Sequence, residues 1–107
     1  MKRLSEILHT YGFAKAGDQN HVNYYARMKD GGLLSISLSA ASYCIPRMLL
    51  DPDSYDAIEI GFVKGGELYD PVFLSGDRYH VVRGILAYFP VEDFADLTRL
   101  CFGEPGR

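Results

Sequence analysis

Residues 33–39 read Leu-Leu-Ser-Ile-Ser-Leu-Ser, and this short run decides the fold. Leu34, Ile36 and Leu38 fall on one side of an extended chain, and Ser35, Ser37 and Ser39 on the other. Side chains alternate along a strand, so the run specifies a strand buried on one face and wet on the other. Upstream, Asp30-Gly31-Gly32 supplies a tight hairpin turn, because glycine tolerates positive φ. Beyond that turn, 21–29 repeats the alternation through Val22, Tyr24, Ala26 and Met28. Downstream, 55–63 does so again, with Ile58, Ile60 and Phe62 opposite Ala57, Glu59 and Gly61. Lys64-Gly65-Gly66 then predicts a second hairpin into a short strand near 67–74. The stretch 80–89, HVVRGILAYF, reads as the last strand, with Gly84 the candidate for a bulge and the facing of Val82, Ile85 and Tyr88 open.

Two helices flank this meander. Leu4, Ile7, Leu8 and Tyr11 form one stripe at helical spacing across 2–11, and Gly12 is a natural stop. A helix this short persists only when docked, and the sheet is the surface available. After Pro90, acidic Glu92 and Asp93 suit the first turn of a C-terminal helix, and Gly103 ends it. Val91, Phe94, Leu97, Leu100 and Cys101 make its apolar stripe. The expectation is a single α+β domain over 1–107. It has two layers, a mostly antiparallel sheet of about five strands with an N-terminal and a C-terminal helix.

The connection 40–54, AASYCIPRMLLDPDS, fits neither period. It holds Pro46, Pro52 and six large apolar residues, so it either packs as a satellite cluster or binds something. Packing is the favoured reading, with Met48–Leu50 as a short helical turn under the sheet. The alternative is a pocket at Tyr43, Cys44 and Arg47.

Composition narrows the function classes. The chain has 107 residues, 48% of them apolar, and a net charge of −3. An acidic balance argues against direct nucleic-acid binding. No apolar run approaches the ~18 residues that span a bilayer, and the interrupted N-terminus does not read as a secretory signal. A cytoplasmic location with no membrane partner is therefore expected. Cys44 and Cys101 lie 57 positions apart, fit no zinc spacing, and read as buried reduced thiols.

Catalytic and metal chemistry find little support. His9, His21 and His80 form no i, i+4 pair. Asp51-Pro-Asp-Ser-Tyr-Asp resembles a calcium loop, but Phe62 stands where the bidentate glutamate belongs. Glu59, mid-strand, is expected to pair across strands with Arg27 or Lys29. No catalytic residue, cofactor or metal is therefore expected.

The charge is uneven, however. From Asp51 to Asp77 seven carboxylates face only Lys64, whereas residues 1–50 carry a balance of +3. Carboxylates mixed with tyrosines can dock a basic protein, since tyrosine anchors while charge steers. The candidate partner-binding residues are Asp53, Tyr55, Asp56, Glu59, Glu67, Tyr69, Asp70 and Asp77. The partner expected is a protein with a basic surface.

The run SYCIPR…YDAIEIGF…VRGILAYFPVEDFADLTRL resembles short phage and prophage proteins. In these a Tyr-Cys-x-Pro-Arg segment precedes a glutamate-bearing strand and a closing helix. The group includes anti-defence inhibitors of the anti-CRISPR type. The resemblance implies a non-enzymatic inhibitor acting in the host-cell cytoplasm, and it carries over no functional residue. An immunity protein or antitoxin belongs to the same class of reading. A small-ligand binder or minor enzyme using the 40–54 loop is the competing class. The chain is expected as monomer or homodimer, by edge pairing if 33–39 lies at the sheet edge.

Overall fold

Strand β3 (Leu33–Ser39) lies inside the sheet, flanked by β2 (His21–Arg27) and β4 (Ala57–Lys64). The computed structural model describes residues 3–74 and 79–104. Within them one antiparallel sheet runs β1 (Ala14–Gly17), β2, β3, β4, and the far edge of β4 is shared. There β5 (Glu67–Leu68) pairs with its C-terminal residues, and β6 (Ile85–Pro90) pairs with the stretch Ala57–Gly61. The two-layer α+β architecture follows from the alternation noted above.

Register explains why the core forms. Leu34 lies opposite Phe62, and Ile36 lies between Tyr24 and Ile60. Leu34, Ile36, Ile58, Ile60 and Phe62 are wholly buried on one face. Helices α1 (Leu4–Thr10) and α2 (Phe94–Phe102) cover that face with Leu4, Ile7, Leu8, Phe94, Leu97 and Cys101. Each fully buried Leu, Ile or Phe contributes roughly 1.5–3 kcal/mol, so this face dominates stability. The opposite face carries Asn23, Tyr25, Ser35, Ser37, Glu59 and Gly61, and among the described residues no α-helix covers it.

Helix α2 is reached through a 3₁₀ turn at Val91–Asp93 rather than directly from Pro90. It stops at Gly103, whose φ is +84° and whose N–H bonds Arg99 O at 2.9 Å. Thr98 joins the buried stripe, while Leu100 is only half-buried.

Several expectations are corrected. Strand β1 had no alternation to announce it: Ala14–Gly17 is exposed throughout and is held by backbone pairing to β2. The strand expected over 67–74 ends at Leu68, because Pro71 has no N–H for the ladder and a 3₁₀ turn follows at Val72–Leu74. Met48–Leu50 forms no helical turn. Met48 is exposed, and the helical turn of this connection falls at Pro52–Ser54. Glu59 pairs with neither Arg27 nor Lys29. Its cross-strand neighbour is Ser37, while Arg27 donates to Gly31 O and Lys29 lies over Phe73. Because β3 is interior, edge pairing through 33–39 does not arise.

The last strand is shorter than 80–89, and Gly84 serves a turn instead of a bulge. Val82 pairs with Ile85 across Arg83 and Gly84, whose φ values of +51° and +79° are those of a two-residue type I′ turn. The bulge sits later. Ile60 faces Leu86 and Ile58 faces Phe89, so Glu59 opposes both Ala87 and Tyr88. Tyr88 holds φ +52°, a conformation costing roughly 1–2 kcal/mol for a residue with a Cβ.

Arginine is a poor occupant of the first I′ position, where asparagine is favoured. Arg83→Asn should stabilise the protein by roughly 0.5–1 kcal/mol and raise Tm by about 2–5 °C. A calorimetric melt showing no gain would refute that account of the turn.

Candidate functional site

The carboxylates singled out in the sequence divide between the two ends of β4. At about 3.4 Å per residue, the ends of this eight-residue strand lie roughly 24 Å apart. Asp53, Tyr55 and Asp56 precede it; Glu67, Tyr69 and Asp70 follow it. Glu59 lies between them on the uncovered face, and Asp77 lies outside the described residues.

At the leading end, Asp53 is tied to α1. Its carboxylate accepts the Ser5 N–H at 2.9 Å and the Ser5 hydroxyl at 2.6 Å, with Arg3 Nη1 at 3.9 Å. The two Ser5 bonds, chiefly that from the hydroxyl, hold its carboxyl below the usual carboxylate range, so it stays charged. Tyr55 is 4% exposed. Its hydroxyl donates to Met48 O and accepts the Leu50 N–H, pinning the 40–54 connection from beneath. Asp56 is stitched through its backbone: its N–H donates to Ile45 O and its carbonyl accepts the Val91 N–H. Its side chain is exposed.

That second stitch brings in Glu92, which sequence reading took only as a helix-start residue. Asp53, Asp56 and Glu92, with Arg3, Leu4, Tyr55, Pro90 and Val91, line a concavity of about 360 Å³. Arg3 is already engaged, with its Nε 3.1 Å from Glu6 Oε1 as well as near Asp53. The rim is therefore net acidic. Glu92 was invisible as a site residue because its approach depends on Pro90 pairing with Ala57 across the sheet.

At the trailing end, Tyr69 and Asp70 are structural clasps. Tyr69 donates its hydroxyl to Asp30 Oδ2 at 2.7 Å, and Asp70 accepts the Gly84 N–H at 2.6 Å. The phenol of Tyr69 lies so close over Gly32 that a Cβ there would meet its oxygen at 2.0 Å. Burial raises the Asp30 carboxyl, but the Tyr69 hydroxyl, the Gly32 N–H and Lys64 outweigh it, leaving the group below its ordinary range. Glu67 is exposed at the hairpin tip.

The alternative pocket residues sit beside the acidic end. Cys44 is wholly buried, with its Sγ 3.4 Å from both Ser39 O and Pro46 O. Tyr43 and Arg47 are exposed, and Arg47 Cζ lies 5.9 Å from the Tyr43 ring centre. Glu59 accepts the Tyr43 N–H at 2.9 Å, and Tyr43 O accepts the N–H of Tyr88. Two further concavities, of about 180 and 420 Å³, lie between the helices and beside β1–β2. None of the three is lined by Tyr43, Cys44 or Arg47. Among the described residues no group of three or more His, Cys, Asp or Glu could hold a metal ion, and no helix is long and apolar enough to cross a membrane.

These features define a small antiparallel α+β protein with an acidic concavity at one end of its central strand. No protein-family model, curated protein or solved structure matches the chain.

Buried tyrosines and the Cys101 thiol set an alkaline limit. Burial pushes the Cys101 thiol up to about 12, and burial is the first cause raising Tyr24, Tyr55 and Tyr69, the last also through its bond to Asp30. The unfolded chain releases these protons near pH ~8.5–10, while the folded chain retains them. Their stability contribution is thus complete below about pH 8 and is lost as pH rises. Melts between pH 8 and 11 should show Tm falling. Tyr69→Phe should lower Tm at neutral pH and flatten the fall above pH 10; an unchanged alkaline slope would contradict this.

Proposed function

We propose that the protein is a non-enzymatic binding protein, an anti-defence inhibitor of the kind carried by phages and mobile elements. It occludes a basic, nucleic-acid-binding surface of a protein partner in the host-cell cytoplasm. The observation that carries this reading is the acidic concavity of Asp53, Asp56 and Glu92, whose one lining cation is already paired within the chain. Charge of this kind steers encounter with a cationic surface and sets register on it. The Asp53 bonds to Ser5 fix one carboxylate in place, so little ordering is needed on binding.

The competing reading, a small enzyme at the 40–54 loop, would rely on Cys44 as nucleophile. A reactive thiol needs access and an electropositive setting. Cys44 is sealed beneath the loop, with two carbonyl oxygens as its polar neighbours. That setting favours contact over covalent chemistry.

The test is phage plating on cells that carry nuclease-based defence systems. The wild-type protein should restore plating on at least one of them. Asp56→Lys combined with Glu92→Lys should keep Tm within about 2 °C, since both side chains are exposed or near the rim. It should cut protection at least 100-fold. Protection by the double variant equal to wild type, or none by the wild type on any system, would overturn the proposal.

A further inference from the structure

Nine large apolar side chains of the described residues are exposed, and five of them, Tyr43, Ile45, Met48, Leu50 and Tyr88, belong to the 40–54 connection or touch it. Tyr43 and Tyr88 are 48% and 42% exposed, with ring centres 5.8 Å apart and planes tilted by 48°. The backbone of this pair is fixed at two points, and a cation flanks one of the two rings. The Glu59 carboxylate bonds the Tyr43 N–H, the Tyr43 carbonyl bonds the Tyr88 N–H, and Arg47 lies against the Tyr43 ring. Tyr88 also keeps a left-handed backbone at the β6 bulge. Strain retained at an exposed residue that fills no core space points to a role for its ring outside the fold.

The position of the pair identifies what it meets. Ile45 bridges Ala57, and Asp56 donates its N–H to Ile45 O, so the aromatic cluster adjoins the acidic concavity at the leading end of β4. Paired tyrosines on a fixed backbone beside a fixed charge are the composition of an interface anchor, where burial of the rings supplies affinity and the rim supplies direction.

We infer that Tyr43 and Tyr88, with Ile45 and Met48, form the apolar anchor of a docking surface whose rim is Asp53, Asp56 and Glu92. The occupant is a protein surface that sets an apolar recess beside lysines or arginines. The basic character of that occupant rests on the proposed function. Arg47, which makes no ion pair among the described residues, takes a carboxylate or carbonyl of the occupant at the outer margin. The tyrosines that anchor are thus ones the acidic 51–77 segment does not contain.

The test uses a displayed library of random 12-residue peptides selected against the intact protein, because such libraries find preformed anchor surfaces whatever the natural partner is. Enriched peptides should combine Lys or Arg with Leu, Phe or Trp. Their affinity should fall at least tenfold on Tyr43→Ala and on Tyr88→Gly, and should be unchanged by Glu67→Lys at the far end of β4. Tyr88→Gly carries an internal control, since glycine accepts φ +52° without strain. Its Tm should equal or exceed that of the wild type while binding is lost. Failure to enrich peptides, or peptides that bind the Tyr43→Ala/Tyr88→Gly double variant as tightly as wild type, would overturn the anchor. Peptides mapping to the tyrosines while plating is never restored would retain the anchor and remove the anti-defence role. Peptides mapping elsewhere while charge reversal abolishes protection would do the converse.

Discussion

The antiparallel contact between β3 and β4 is the constraint on which the rest of the molecule depends. Ile36 against Ile60 and Leu34 against Phe62 place four wholly buried side chains in one block. A slip of one residue would send all of them to solvent and bring Ser35, Ser37 and Glu59 inward, so the register has no near competitor. Everything else attaches to this block. The helices cover its apolar side, β2 and β6 extend it, and the opposite side carries serines, a glycine and a glutamate, with Leu33 paired to Val63 at one end and Ala57 at the other. The acidic concavity exists because β4 begins beside the places where the chain enters α1 and α2.

Much of this was legible from periodicity. The strands around 21–29, 33–39 and 55–63, both glycine-rich turns and both helices follow from spacing alone, since each buries one face against a common core. What periodicity could not show was structure held by backbone alone. Ala14–Gly17 has no apolar side to declare, and the two residues of β5 are fewer than any alternation can reveal. The 40–54 connection was misjudged because apolar content was read as burial. Cys44 buries itself, whereas Tyr43, Ile45 and Met48 remain outside.

The candidate site shows the same division. Asp53 and Asp56 were found from local charge, and they do share one concavity. Glu67, Tyr69 and Asp70 were grouped with them only because they are close in sequence, and a full strand length separates the two sets. Two of those three side chains are committed to internal bonds. Glu92 and Tyr88 enter through pairing of β6 with β4, a contact between segments about thirty residues apart that no local pattern encodes.

The extra residue in β6 has a consequence for how this surface can vary. Leu86 and Phe89 both point into the core although they stand three positions apart, a spacing that an unbroken strand forbids. The irregularity absorbs the odd count and delivers Val91 and Phe94 to the helical layer in phase. Position 88 is thereby relieved of packing in the core: the ring that occupies it lies outside, against Tyr43. Recognition can be retuned there by natural variation while the hydrophobic interior stays as it is.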